Sequence, residues 1–276
     1  MLETVLLFRN ALYGALVIGV ACSVLGVYVV LRRIVFVGAA LAELSSMGIA
    51  LALWLAGYGW ALGIATHPIA VSLIVTLAGV VAFAADGGRG RVPPDAGIGV
   101  VYALAAAVGV LLISKATHGE AHDLFLQGNI LGITGVDTVV LAAVCIPVLL
   151  LHLVLYKEFL FISFDRETAR TLGYRVQFWN LLLYLTLGVV IAFAMQFAGV
   201  LLVFNFLVLP AVTGLLLGGG MGVVFAGAIS SAILSAAIGF VLSIPFDLPT
   251  GPAIIATSGV LAGLAWLFSR LRPGAR

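Results

Sequence analysis

The amino-acid sequence predicts an all-α protein that crosses a membrane several times. Hydrophobic residues make up 63% of the 276 residues and charged residues only 9%, whereas soluble domains carry about 25% charged residues. The apolar residues occur in runs of about 20, the length that a helix needs to cross the hydrocarbon core of a bilayer. Cys22 and Cys145 lie in such runs, without the spacing of a zinc site or a disulfide framework. These observations exclude a cytosolic enzyme, a disordered chain and a nucleic-acid-binding protein.

Nine apolar runs are expected to form membrane spans within one transmembrane domain, residues 1–276. The first run is longer than the apolar core of a signal peptide, so we expect it to be retained as a span. The division at Gln196 is the weakest, which leaves eight or ten spans as alternatives. The expected spans are 11–31, 35–55, 66–85, 96–114, 136–156, 178–195, 198–217, 222–243 and 252–269.

The distribution of basic residues predicts the orientation of these spans. Lys and Arg accumulate in cytoplasmic loops. If Arg32 and Arg33 are cytoplasmic, 11 of the 13 Lys and Arg residues share that side, and only Arg9 and Lys115 lie outside. The sequence therefore predicts a cytoplasmic C-terminus. The outer loops are then 57–65, 115–135 and 244–251.

Most of the predicted cytoplasmic charge lies in Tyr156–Tyr174, here called the charged segment. Asp165 is expected to cap a short helix over Arg166–Leu172, and Gly173 to end it. Such a helix on the membrane surface can dock into a groove of a partner protein. An ordinary charged loop explains the composition of this segment equally well.

Glu43 is the one carboxylate in the middle of an apolar run, GAALAELSSMGIALAL. A charge at the bilayer centre costs roughly 3 kcal/mol or more, so such residues usually face a pathway or a partner. Glu43 is therefore expected to line a pathway or to accept a proton. The alternative is a protonated or hydrogen-bonded structural residue, with Ser45 or Ser46 of a neighbouring copy as its partner.

The predicted outer loops hold a small set of candidate metal ligands. His118 and His122 are four residues apart, which places them on one face of a helix, and Glu120 and Asp123 lie beside them. This set predicts at most a weak divalent-metal site at the outer mouth, with a solvated loop as the alternative. Asp247 is a further outer-mouth candidate, or a helix cap.

Two other features limit the chemistry of the chain. Pro210 interrupts an apolar run and is expected to break its helix. The sequence has no GxxxxGK[ST] motif, and its only lysines are Lys115 and Lys157, so we expect any ATP hydrolysis to occur on a separate subunit. Because no hydrolase or metalloprotease motif is present either, the chain is not expected to be an enzyme.

Five segments resemble, in the same order, the permease subunit of the ABC-3 family of bacterial zinc, manganese and iron importers. They are VVLRRIVFVGAALAELSSMGIALAL, LFLQGNILGI, ISFDRETARTLGY, FAGVLLVFNFLVLPAVTGLLL and FDLPTGPAIIATSGVLAGLAWLFSR. The resemblance spans nearly the whole chain.

The resemblance implies a homodimeric permease in the bacterial cytoplasmic (inner) membrane, related in fold to the vitamin B12 permeases. It implies a separate cytoplasmic ABC ATPase, an extracytoplasmic solute-binding protein and contact with membrane lipid, but no nucleic acid. No cofactor is expected on this chain, and a divalent transition metal ion (zinc, manganese or iron) or a metal complex is expected as its cargo. The resemblance makes 163–174 the coupling helix that receives the ATPase stroke, with Ser163, Asp165, Arg166, Thr168, Ala169, Arg170 and Gly173 as its site residues.

The candidate pathway residues depart from the family pattern. Family members usually carry an Asp and, four residues later, a His in the second span; the matching positions here are Ala39 and Glu43. One oxygen donor therefore stands where two ligands are usual, and oxygen donors favour harder ions than zinc. By this resemblance the substrate pathway follows Ala39, Glu43 and Ser46.

Three classes of function are compatible with these observations. The first is the permease of an ABC importer, in which Glu43 lines the path of the substrate. The second is an ion-coupled secondary transporter that acts without an ATPase, in which Glu43 carries a proton. The third is a non-transporting membrane scaffold, which needs no carboxylate in mid-membrane.

Overall fold

A computed structural model describes residues 8–57, 67–85, 94–115 and 130–271. These residues form ten α-helices and a short 3-10 turn, with no β-strand in the described ranges. The helices are α1 (Arg9–Leu31), α2 (Val35–Gly57), α3 (Pro68–Ala85), α4 (Pro94–Lys115), α5 (Gly135–Val154), α6 (Tyr156–Phe164), α7 (Arg166–Thr171), α8 (Val176–Leu217), α9 (Met221–Ser243) and α10 (Thr250–Leu271). The 3-10 turn is Ile130–Gly132.

Seven of the described helices are long and apolar enough to cross a membrane, namely α1, α2, α4, α5, α8, α9 and α10. The helix α3 is a shorter apolar helix. The 42-residue α8 contains a non-helical residue, Gly199, and is twice the length that a bilayer requires. When α3 and both parts of α8 are included, the described chain contains the nine apolar segments that the sequence predicts.

The chain reverses direction at Gly199. Asn180, near the start of α8, is hydrogen-bonded to Arg32, and Leu207 packs against Gly26. On a straight helix, Asn180 and Leu207 would be about 40 Å apart, whereas Arg32 and Gly26 are only about 9 Å apart along α1. The two parts of α8, residues 176–198 (α8a) and 200–217 (α8b), therefore turn back on each other. This division lies three residues beyond the predicted one at Gln196.

The prediction that Pro210 breaks its helix is wrong. The helix α8b continues through Pro210 to Leu217, and Pro210 is buried. Proline removes a single backbone donor, and tight packing by neighbouring helices tolerates it inside a membrane helix. The break occurs at Gly199 instead, because its backbone (φ 71°, ψ 169°) is a conformation that essentially only glycine adopts.

The core of the bundle lies where α1, α2 and both parts of α8 meet. In α1 and in α2, 13 of the 23 residues are buried, against three of 20 in α5 and five of 22 in α10, which lie at the periphery. A Cβ atom on Gly26 would overlap the carbonyl oxygen of Leu207, so glycine permits α1 and α8b to touch along their backbones. Cys22 and Cys145 are buried, free thiols of this core, as their apolar surroundings predict.

We call one end of the bundle the charged end. It contains the turn between α1 and α2, the helices α6 and α7, and the start of α8. Arg32 in the turn is hydrogen-bonded to Ser163 at the end of α6 and to Asn180 in α8a. The turn and the charged segment therefore lie at the same end, as the distribution of basic residues predicts.

Candidate functional site: the polar face of α2 and the charged end

One face of α2 is packed against its neighbours so closely that small residues are required. A Cβ atom on Gly48 would lie 2.6 Å from the Cα of Ser72 in α3, and one on Gly38 would overlap the side chain of Leu207. Between α2 and α3, the Oγ atoms of Ser45 and Ser72 are 2.7 Å apart and form a buried hydrogen bond. This face of α2, with Gly38, Ser45 and Gly48, is here called the packed face; it holds α2 against α3 and α8b.

A second face of α2 carries Ala39, Glu43 and Ser46, which we call the polar face. Spacings of four and three residues place these side chains on one side of a helix. Ala39 and Glu43 are each 9% exposed, and Ser46 is fully buried. Glu43 begins the third turn of α2, about 12 Å from its first residue. The structure therefore brings together the three residues that the sequence predicts for the pathway.

The two polar side chains of this face have no partner within the described part of the chain. Glu43 forms no hydrogen bond or ion pair there, and the Oγ of Ser46 is buried without a hydrogen bond. Buried polar groups are nearly always hydrogen-bonded, because an unpaired group loses its interaction with water. A carboxylate and a hydroxyl left unpaired side by side can instead bind a cation or a polar solute.

These two oxygen donors are too few for a complete metal site. Among the described residues, no group of three or more His, Cys, Asp or Glu side chains lies close enough to hold a metal ion. Divalent cations that prefer oxygen ligands usually take about six of them. Any metal ion at Glu43 therefore needs further ligands from water or from the cargo itself.

At the charged end, Asp165 and Gly173 have the local roles that the sequence predicts. The hydroxyl and the backbone N–H of Thr168 both donate to the carboxylate of Asp165, which caps α7 and holds the pKa of that carboxyl below its ordinary value. Gly173 has a left-handed backbone (φ 86°), and the N–H of Tyr174 donates to the carbonyl of Ala169. These contacts form a Schellman C-cap, in which glycine avoids the strain of a Cβ atom.

The predicted coupling helix is divided in the structure. Ser163 is buried in the last turn of α6, and only Arg166–Thr171 forms the separate helix α7, because Asp165 between them is extended. Ala169 is the buried residue of α7; it packs with Ile162 and Val176. The remaining candidates, Arg166, Thr168 and Arg170, are exposed. The helix α7 thus presents a short polar surface away from the bundle.

The predicted outer-mouth residues are not brought together into a site by the described residues. His118, Glu120, His122 and Asp123 lie outside the described ranges. Asp247 is exposed, in a turn with a left-handed backbone (φ 49°). It does not cap α10, because the first intrahelical bond is accepted by the carbonyl of Pro249.

Two buried polar residues near the charged end were not predicted from the sequence. Arg32 is only 8% exposed, although it is an arginine in a turn. His152 is 1% exposed; its ring stacks on Phe159, and its Nε2 lies 3.0 Å from the Oγ1 of Thr186. Arg32 is the first of two adjacent arginines at the end of an apolar run, which indicates a membrane boundary but not burial.

Comparison with known proteins identifies the family. The family model described as "ABC 3 transport family" matches residues 4–269, nearly the whole chain. The chain belongs to this family. The resemblance noted from five segments of the sequence is therefore confirmed, and the chain is a multi-pass membrane permease of the ABC 3 transport family.

Relatives in the family are named for the transport of a metal. A protein named "Manganese transport system membrane protein MntC", from Listeria innocua, is 30% identical over 261 residues, which cover 95% of this chain and 90% of the relative. A protein named "Probable iron transport system membrane protein", from Haemophilus influenzae, is 30% identical over 264 residues, which cover 96% of this chain and 94% of the relative.

A solved structure of PsaBC from Streptococcus pneumoniae, in complex with a Fab, shares the fold. The TM-score is 0.81 at 24% identity, and the match covers 94% of this chain and 90% of that chain. At this identity the likeness shows the fold alone.

Proposed function

We propose that this chain is the permease subunit of a bacterial ABC importer for a divalent transition metal ion or a metal complex. It works as a homodimer in the cytoplasmic membrane, with its C-terminus in the cytoplasm. A separate ATPase drives it from the cytoplasmic side, and a solute-binding protein delivers the cargo from the other side. The chain itself catalyses no reaction.

The observation that carries this proposal is the polar face of α2. The Oγ of Ser46 is fully buried without a hydrogen bond, and Glu43, 9% exposed, has no hydrogen bond or ion pair with any described residue. A carboxylate left in this state destabilises the fold unless a cargo or a proton uses it. The family membership and the relatives named for manganese and iron transport support a metal cargo.

The donor atoms of this face favour manganese or iron(II) over zinc. By the family resemblance, Glu43 stands where an imidazole is usual and Ala39 stands where a first carboxylate is usual. Imidazole suits zinc, whereas carboxylate and hydroxyl oxygens suit harder ions. A chelated metal, which brings its own ligands, also fits a face with so few donors.

The homodimer in this proposal rests on the family resemblance. The polar face is buried within a single chain, so further ligands for a metal ion at Glu43 come from water or from the cargo itself.

The partners follow from the two ends of the bundle. Because the sequence has no phosphate-binding loop, ATP hydrolysis requires a separate ATPase subunit. The exposed helix α7 offers a docking element for that subunit. The excess of Lys and Arg at this end supports a cytoplasmic location. The opposite end, where the predicted outer loops lie, remains for the solute-binding protein.

The test combines purification with transport. The tagged chain is purified from its own membranes in mild detergent, and its partners are identified by mass spectrometry. The complex is then reconstituted in vesicles and supplied with the binding protein, and uptake of radioactive manganese, iron and zinc is measured with ATP or a non-hydrolysable analogue on the ATPase side.

We expect a stoichiometric subunit with a phosphate-binding loop, and uptake of manganese or iron that requires ATP hydrolysis. A chain that purifies alone and transports with a proton gradient in place of ATP would replace the importer by an ion-coupled secondary transporter. Uptake of zinc in preference to manganese and iron would overturn the argument from the donor atoms.

A further inference from the structure

Arg32 connects three parts of the charged end through one buried side chain. Its Nε donates to the Oγ of Ser163 at 2.8 Å, and its Nη1 donates to the Oδ1 of Asn180 at 2.6 Å. Ser163 precedes α7 by three residues, and Asn180 follows the start of α8 by four. A single guanidinium in the turn after α1 therefore holds the chain on both sides of α7.

The link to Arg32 consists of hydrogen bonds to neutral acceptors only. The third nitrogen, Nη2, is buried without a partner, and no carboxylate in the described ranges forms an ion pair with Arg32. Burial and the nearby positive charge of Arg166 lower the pKa of Arg32 to about 10, so it stays protonated at neutral pH. A charged donor strengthens a hydrogen bond even to a neutral acceptor, so Arg32 ties the end of α6 and the start of α8 to the turn after α1.

The helix α7 has few other attachments to the bundle. Its one buried side chain, Ala169, packs in a small cluster with Ile162 and Val176, which are themselves in α6 and α8. A push on the exposed surface of α7 is therefore passed to the end of α6 and the start of α8. These are the two positions that Arg32 holds.

From Arg32, movement passes directly to the helix that carries Glu43. Only three residues, Arg32 to Ile34, separate α1 from α2. The turn is closed by hydrogen bonds from the N–H of Arg33 to the carbonyl of Val30 (3.0 Å) and from the N–H of Ile34 to that of Val29 (3.1 Å). A turn this tight forces the start of α2 to follow the end of α1. Glu43 lies eight residues further along α2.

We infer that Arg32 is a positioning residue that transmits the displacement of α7 to α2, and hence to the polar face of the pathway. This inference rests on the proposed function, since it requires an ATPase that acts on α7. Arg32 touches neither the cargo nor the ATP; it couples the two events. Its loss is therefore expected to separate ATP hydrolysis from transport.

The test compares Arg32→Gln with Arg33→Gln in the reconstituted complex. Both substitutions remove one positive charge from the same turn, but Arg33 is exposed and its side chain has no hydrogen bond in the described chain. For each variant we would measure the yield of folded complex, the rate of ATP hydrolysis and the amount of metal taken up per ATP hydrolysed.

We expect Arg32→Gln to assemble with the ATPase and hydrolyse ATP within about twofold of the wild type, while uptake per ATP falls at least tenfold. Arg33→Gln is expected to keep the wild-type ratio. If Arg32→Gln keeps the wild-type ratio, or loses hydrolysis and uptake in equal proportion, Arg32 does not couple the two events.

A second pair of variants covers the case in which Arg32→Gln does not fold. Asn180→Ala removes one of the two acceptors and is expected to lower uptake per ATP. Asn180→Asp supplies a charged acceptor and is expected to keep the ratio near that of the wild type. Equal ratios in both variants would overturn the inference. A wild-type complex without ATP-dependent uptake would instead overturn the proposed function itself.

Discussion

The two faces of α2 differ in whether their buried polar side chains have hydrogen-bond partners, although Ser45 and Ser46 are adjacent in the sequence. Ser45 is hydrogen-bonded to Ser72, on a face where Gly48 brings α2 and α3 into backbone contact. Ser46, the next residue, is equally buried but has no partner, and Glu43 lies one turn away on the same face. The first face contributes packing and hydrogen bonds to the fold, whereas the second costs stability. We infer that the polar residues of the second face serve to bind the cargo and not to stabilise the fold.

The largest effect is expected for Glu43→Ala, which removes the carboxylate of the polar face. Loss of a group that supports metal binding costs about tenfold to 100-fold, so we expect metal uptake by the reconstituted complex to fall by at least about tenfold. The melting temperature of the permease should stay the same or rise, because an unpaired buried acid is removed.

Glu43→Gln separates charge from shape in this experiment. The amide has nearly the size of the carboxylate but lacks its charge, so it should lose uptake as Glu43→Ala does. Normal uptake in both variants would make Glu43 a structural residue, and a large drop in melting temperature in both would place it with the packed face.

A smaller effect, on stability alone, is expected for Gly48→Ala on the packed face. The added Cβ would lie 2.6 Å from the Cα of Ser72 and 3.1 Å from its backbone nitrogen, so α2 and α3 must move apart. Overpacking of this kind costs about 1–3 kcal/mol, which a lower melting temperature in detergent would report.

Gly259→Ala in the peripheral α10 is the matched control for Gly48→Ala. A Cβ atom at Gly259 would have no neighbour within 4 Å among the described residues, so its effect should stay within about 0.5 kcal/mol. Equal losses of stability in the two variants would show that the close contact of α2 with α3 does not set the position of α2.

The smallest effects are expected for Ser45→Ala and Ser46→Ala. These two variants distinguish the two faces of α2 most clearly, because one is expected to change stability and the other the KM. Ser45→Ala removes a hydrogen bond between membrane helices, worth about 0.6 kcal/mol, and should leave the KM for the metal unchanged. Ser46→Ala removes no bond of the described fold, so stability should hold while the KM rises. The opposite result, a stability loss in Ser46→Ala and a KM change in Ser45→Ala, would reverse the assignment of the faces.

The sequence predicts the fold well, and it indicates the residues of the polar face, because both depend on local signals. A run of about 20 apolar residues specifies a membrane helix without reference to the rest of the chain. Glu43 can be recognised from the local sequence in the same way, because a carboxylate within an apolar run is rare and usually functional. The cap at Asp165 and the stop at Gly173 also depend on residues within a few positions of each other.

Arg32 and Gly199 show what such local signals cannot provide. The burial of Arg32 depends on Ser163, 131 residues away, and on Asn180, 148 residues away. Proline disrupts a helix more strongly than glycine does, yet α8b continues through Pro210, whereas the chain reverses direction at Gly199. The sequence predicts a division at Gln196, three residues earlier, but because many glycines lie inside the other spans it does not identify Gly199 as the residue at which the chain turns.

The sequence by itself determined that the chain is a helical membrane permease with about nine apolar segments, and where the one carboxylate within an apolar run lies. The tertiary structure decided which polar groups acquire partners: Ser45 but not Ser46, and Arg32 through two distant residues. The physical reason is that apolarity and capping act over a few residues, whereas a buried hydrogen bond requires two helices to meet. Only the folded bundle brings those helices together.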